Sequence, residues 1–127
     1  MRVAISGTVF SGKGEGKKFV ALPWVQRQIT QKLVFSPYLG TLNLRLSAEN
    51  IAKRAQMEKS EGITIAPETG FFSGKLYPAH IRGVACAVIV PEVPSYPADI
   101  LEVVAESCLR EKLELEDGDC VSVLVTL

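Results

Sequence analysis

Histidine is nearly missing from this 127-residue sequence, with His80 the single example. A Ser-His-Asp or Cys-His nucleophile would depend on that one residue, and a lone histidine is more often structural. The three cysteines, Cys86, Cys108 and Cys120, form no C-x-x-C pair. Structural zinc, which needs four clustered ligands, is therefore not expected. An odd count of unpaired cysteines suits free thiols in a reducing, cytoplasmic compartment. Cys86 and Cys120 lie in apolar stretches and read as small buried hydrophobes. No apolar run approaches about 18 residues, so no membrane-spanning helix is expected. The first residues, one arginine and a short mixed stretch, do not read as a signal peptide. An excess of either charge is also missing: 14 basic residues face 14 acidic ones. A zero balance argues against a protein whose main work is non-specific nucleic-acid binding.

What is present fits one globular domain over residues 1–127, with 47% apolar and 22% charged residues. The zero net charge hides a gradient. Met1 to Arg45 carries +6, Leu46 to Pro91 carries +1, and Glu92 to Leu127 carries −7. Either the two ends pack together and neutralise each other, or the N-terminal part holds a basic site for an anion.

Hydrophobic periodicity predicts mostly short strands. Arg2 to Phe10 is a strand, with Gly7 marking a bulge or close approach. Ser11 to Lys18 is a glycine-rich loop and Phe19 to Leu22 a short strand. Pro23 to Leu33 is a helix with proline in its first turn. Thr41 to Leu46 alternates perfectly, and Ser47 to Ala55 is a short helix capped by Ser47. Ile63 to Ala66, Gly70 to Leu76 and Ala85 to Val90 are strands, punctuated by Pro67, Gly74, Pro78 and Gly83. Pro91 to Pro97 is a loop. Asp99 to Ala105 is a strand, Cys108 to Leu113 a helical turn or two, Asp117-Gly118-Asp119 a turn, and Cys120 to Leu127 the last strand. Helices do not alternate with these strands, so a small closed β-barrel with one or two short helices is expected, not a layered α/β sheet.

Two segments carry chemistry. In Gly12-Lys13-Gly14-Glu15-Gly16-Lys17-Lys18, three glycines at alternate positions let backbone amides crowd against an anion, and the lysines add charge. The alternative is a flexible surface hairpin. Neither familiar phosphate motif fits: Gly14 stands where a P-loop needs Ser or Thr, and the spacing is not that of the dinucleotide fingerprint. In Thr41 to Leu46, the three leucines share one face and Thr41, Asn43 and Arg45 the other. That polar face either meets water, or Thr41 and Asn43 present oxygens to a hard cation such as magnesium, with a nucleotide supplying negative charge. Glu102 interrupts the apolar run Ile100 to Val104, and either points to water or faces a binding pocket.

The order Gly7-Thr8-Val9-Phe10-Ser11-Gly12-Lys13-Gly14-Glu15-Gly16, Leu22-Pro23, then Pro37-Tyr38-Leu39-Gly40-Thr41-Leu42-Asn43-Leu44 resembles the archaeal CTP-dependent riboflavin kinases. Tyr77-Pro78-Ala79, Val90-Pro91, Leu101-Glu102, Leu109-Arg110-Glu111 and Asp117-Gly118-Asp119 extend the resemblance over nearly the whole chain. It implies a six-stranded barrel of the cradle-loop type that moves the terminal phosphate of CTP to the 5′-hydroxyl of riboflavin, giving FMN and CDP. It further implies that Gly12, Lys13, Gly14, Glu15, Gly16 and Lys17 cradle the nucleotide together with Ser107, Cys108, Leu109 and Arg110. Thr41 and Asn43 would bind magnesium, and Ser95 and Glu102 would contact the flavin. Glu102 is the candidate general base. A monomer without nucleic-acid or membrane partners is expected. The chain departs from the family pattern at Val34, usually glycine, at Pro94-Ser95, usually bearing threonine, and at Glu106-Ser107-Cys108. The competing class is a non-catalytic barrel, either a DNA-binding module or a flavin-responsive regulator; a second alternative keeps the kinase with ATP as donor.

Overall fold

A computed structural model describes residues 1–12 and 15–127, with the side chains of all of these except Glu15. The chain runs β1 (Arg2–Phe10), α1 (Glu15–Val20), α2 (Pro23–Leu33), β2 (Leu42–Arg45), α3 (Ala48–Glu58), β3 (Ile63–Ile65), β4 (Gly74–Ile81), β5 (Val84–Pro91), β6 (Ile100–Val104), α4 (Leu109–Lys112) and β7 (Cys120–Thr126). All strand pairs are antiparallel, in the order β3-β4-β5-β6-β2-β1-β7. A further pairing of β4 with β7, at Ala79↔Val125 and His80↔Leu124, closes six of the strands into a ring. The expected six-stranded barrel is therefore present, with β3 added along one edge of β4. Closure removes the exposed sheet edges that an open sheet would leave.

Strand faces follow from the two cores. Ile5, Leu44, Tyr77, Val88, Leu101 and Val123 fill the barrel interior. Phe19, Val20, Trp24, Val25 and Ile29 of α1 and α2 instead cover Leu76, Ala87, Ile89 and Val104 on its outside. β5 is thus buried on both faces and reads as an unbroken apolar run, whereas β7, with water on one side, alternates strictly. Cys120 has the outward parity of β7 and is exposed, so it is not the buried hydrophobe expected; Cys86 is buried. Gly7 proves to be a close approach: a Cβ there would lie 2.8 Å from that of Leu44.

Three elements differ from the sequence reading. Phe19 to Leu22 is not a strand. Residues 15–20 form α1, because Phe19 and Val20 are adjacent apolar residues that the second core recruits together. β4 starts at Gly74, not Gly70, and runs through Pro78 to Ile81. Pro78 is tolerated because it falls between the β3 partners at residues 74–76 and the β7 partners at 79–80. α3 reaches Glu58, and Ser47 makes no capping bond; its Oγ instead accepts from Asn50 Nδ2 at 3.0 Å. Four helices are present instead of one or two. Among the described residues no helix is long and apolar enough to cross a membrane.

Candidate functional site

β2 and β6 lie side by side, and their register sets Asn43 opposite Glu102. Leucines on both strands point into the barrel, so Asn43 and Glu102 point outward, where α1 and the 91–97 loop meet Glu102. Glu102 is only 1% exposed. A buried carboxylate is costly unless donors surround it. Three do: the Gly16 amide at 2.9 Å and the Tyr96 hydroxyl at 2.8 Å, both to Oε1, and the Thr41 hydroxyl at 2.9 Å to Oε2. The glycine segment does bring an amide against an anion, but that anion is the chain's own carboxylate.

The Thr41 hydroxyl also lies 3.1 Å from Asn43 Oδ1. Asn43 Nδ2 donates to the Gly12 carbonyl at 3.4 Å, which turns Oδ1 toward Thr41. Thr41 has one hydrogen to share between Asn43 and Glu102. When Glu102 takes it, oxygen lone pairs of Thr41 and Asn43 face each other. Such an oxygen-only set beside a carboxylate suits a hard cation. Among the described residues no group of three His, Cys, Asp or Glu could hold a metal.

Tyr96 is held from behind. Arg54 of α3, 5% exposed, donates through Nη1 to the carbonyls of Pro97 and Ile100, both at 2.6 Å. Its Nε reaches Glu58 at 3.1 Å, and its guanidinium lies 5.1 Å from the Tyr96 ring centre. Burial pushes the Tyr96 hydroxyl far above its usual range, with the Glu102 carboxylate adding to the shift, so it remains a donor.

Next to this cluster is a cavity of about 200 Å³. Its wall brings together Gly12, Lys17, Thr41, Ser107, Cys108, Leu109 and Arg110, from both ends of the chain. Lys13 and Gly14 lie outside the described residues, as does the side chain of Glu15. Gly16 is turned away to Glu102. Ser95 is exposed on the loop, whereas its neighbour Tyr96 turns inward and reaches the carboxylate. Tyr38, Leu39 and Gly40 also line the wall and were given no role by sequence reasoning. The Cys108 thiol beside Tyr38 pushes its hydroxyl above the usual range. Tyr96 was also missed; an aromatic residue among prolines, six positions before a carboxylate in an apolar run, was its only signal. Cys86 is remote from chemistry: burial pushes its thiol up to about 12. His80 is exposed on β4.

A family model labelled CTP-dependent riboflavin kinase, and described as a domain of unknown function (DUF120), matches residues 9–125. The riboflavin kinase of Archaeoglobus fulgidus is 41% identical, over 98% of this chain and 55% of its own. That of Methanoculleus marisnigri is 38% identical, over 96% and 57%. That of Pyrobaculum aerophilum is 37% identical, over 98% and 61%. This chain therefore spans little more than half the length of the curated relatives it matches. Within that span, the match takes in the glycine segment, the β2–β6 pair and α4, and the chain belongs to the CTP-dependent riboflavin kinase family.

Proposed function

We propose that this domain transfers the terminal phosphoryl group of CTP to the ribityl 5′-hydroxyl of riboflavin, giving FMN and CDP. The observation that carries the reading is the hydrogen-bonded cluster of Gly16, Thr41, Asn43, Tyr96 and Glu102 beside a cavity walled by Lys17 and Arg110. Phosphoryl transfer asks a protein mainly for positioning and charge neutralisation. Lys17 and Arg110 supply positive charge to the nucleotide phosphates. A cavity of about 200 Å³ is smaller than a whole nucleotide needs, so CTP would fill it and extend outward.

Thr41 and Asn43 would hold magnesium, which neutralises charge on the transferred phosphate when bound. Glu102 accepts the proton as the hydroxyl O–H bond breaks. The new O–P bond forms, and the bond to the bridging oxygen breaks to release CDP. The Gly16 amide and the Tyr96 hydroxyl fix Oε1 and leave Oε2 directed toward Thr41. Tyr96, not Ser95, is the loop residue connected to this carboxylate, and Ser95 would touch the flavin only from the loop surface.

The test incubates the protein with riboflavin, magnesium and either CTP or ATP and separates the products by chromatography. FMN with CTP is expected. FMN with ATP in preference would change the donor, and no FMN with any nucleoside triphosphate would leave a flavin-binding or regulatory barrel. Thr41→Ala and Asn43→Ala should weaken magnesium-dependent turnover in folded protein; unchanged activity in both removes the metal assignment. Glu102→Gln should weaken flavin binding more than nucleotide binding, and equal effects would make its role structural.

A further inference from the structure

We propose that Asp117, in the turn before β7, is a positioning residue for the nucleotide site. It would act by tying the start of the glycine segment to α4. The inference rests on the nucleotide reading above and adds a residue that lies outside the cavity wall. Three side chains form a closed triangle. Arg110 Nη1 donates to Asp117 Oδ1 at 2.8 Å and to Ser11 Oγ at 3.0 Å. Ser11 Oγ lies 2.9 and 3.1 Å from the two Asp117 oxygens and donates to the carboxylate. The hydrogen bonds from Ser11, followed by those from Arg110, hold the Asp117 carboxyl below the usual carboxylate range.

The triangle joins the two walls of the cavity. Ser11 precedes Gly12, which lines one side, and Arg110 lines the other. Ser11 and Asp117 are 106 positions apart in sequence, so local chain geometry does not dictate their meeting. The turn that carries Asp117 is anchored independently of its side chain. Gly118 donates to the Val9 carbonyl at 2.8 Å, and the Val9 amide donates to the Asp119 carbonyl at 2.9 Å. The Glu116 amide donates to Asp119 Oδ2 at 2.8 Å. Replacing Asp117 therefore leaves its platform in place. The Arg110 and Asp117 side chains are 32% and 58% exposed, and pairs of that exposure contribute little to folding.

Two physical effects of Asp117 on an incoming polyanion oppose each other. Its negative charge partly cancels Arg110 and disfavours binding. Its grip on Arg110 and Ser11 removes their rotamer freedom before the ligand arrives and favours binding. The second effect wins. The sign of a single substitution decides it. Asp117→Ala should raise the KM for CTP by about fivefold or more, the scale of freeing one long side chain. It should leave kcat and the KM for riboflavin within about twofold, and Asp117→Glu should recover part of the loss. The Kd for CDP, measured by calorimetry without riboflavin, should follow the KM for CTP.

An unchanged or lower KM for CTP, with active wild-type protein, overturns the positioning role and leaves the kinase reading intact. So does a parallel rise in both KM values, which indicates a general structural effect. Wild-type protein that makes no FMN yet binds CDP more tightly than Asp117→Ala separates the two ideas in the other direction. Wild-type protein that binds no nucleotide removes both.

Discussion

Gly16 has no room for a side chain. A Cβ there would lie 2.5 Å from Glu102 Oε2 and 2.6 Å from its Cδ, and three hydrogen bonds hold that carboxylate in place. Gly16→Ala should therefore push the carboxylate off its donors, at a cost of about 1–3 kcal/mol in stability. The same displacement should lower kcat for FMN formation by about 10- to 100-fold. Glu102→Ala removes the obstacle. In that background Gly16→Ala should be neutral or stabilising by up to about 1 kcal/mol, since alanine is the better helix former and Gly16 lies within α1. Denaturant unfolding followed by the fluorescence of Trp24, the single tryptophan, measures both values. A Gly16→Ala penalty of equal size in the two backgrounds would show that Glu102 is not what excludes the side chain. This contact also marks what was legible at the site. The alternation of β2 exposed Thr41 and Asn43, and Glu102 stood out as a charge in an apolar run. Neither pattern reveals that the glycine amide meets Glu102 or that Tyr96 does, because the first contact comes from a helix, α1, docked by the second core, and the other from a proline-rich loop.

The end of α2 shows how one position can be wrong for its element. Val34 terminates the helix in the left-handed region, with φ at 61°, and its amide donates to the Thr30 carbonyl at 3.2 Å. This conformation suits glycine and is poor for a β-branched residue. The side chain is 89% exposed and packs against little. Its departure from the glycine of the family pattern therefore has a structural cost. Val34→Gly should stabilise the domain by about 1 kcal/mol, despite the entropy of glycine in the unfolded chain. That corresponds to a rise of roughly 3–5 °C in melting temperature for a chain of this size. A lower melting temperature would mean that the unfolded-state entropy dominates. The other elements divide along the same line between local and tertiary control. β2 and β7 were readable because their alternation is strict, and β1 because Val3, Ile5 and Val9 share one parity despite the break at Gly7. The Arg82-Gly83 turn between β4 and β5 has positive φ at both residues, 49° and 80°, as a tight hairpin requires. α1 and the continuation of β4 through Pro78 were not readable, since a second core and a gap between two ladders decide them.

At the scale of the whole molecule, the charge gradient has two physical parts. The ends do pack together: β1 and β7 pair from Arg2↔Thr126 to Thr8↔Cys120. Arg45 lies 3.6 Å from Asp99, across the β2–β6 boundary, and 4.5 Å from the centre of the Phe10 ring. Packing of the ends is compatible with a basic anion site, because Lys17 and Arg110 still line the same cavity. A nucleoside triphosphate carries several negative charges and riboflavin carries none, so salt should separate the two substrates. Between 0.1 and 1 M salt the screening length falls from about 10 Å to about 3 Å. The KM for CTP should rise severalfold over that range while the KM for riboflavin stays nearly constant. Lys17→Gln should raise the KM for CTP at low salt and flatten its salt dependence, because the variant has less attraction left to screen. Magnesium must be kept saturating in each series, since salt also competes with the cation for the nucleotide. If both KM values rise together, salt is acting on the barrel as a whole, and the basic N-terminal third serves only to pair with its acidic counterpart. If only the KM for CTP rises, the zero net charge combines neutral packing of the two ends with a local field directed at one substrate.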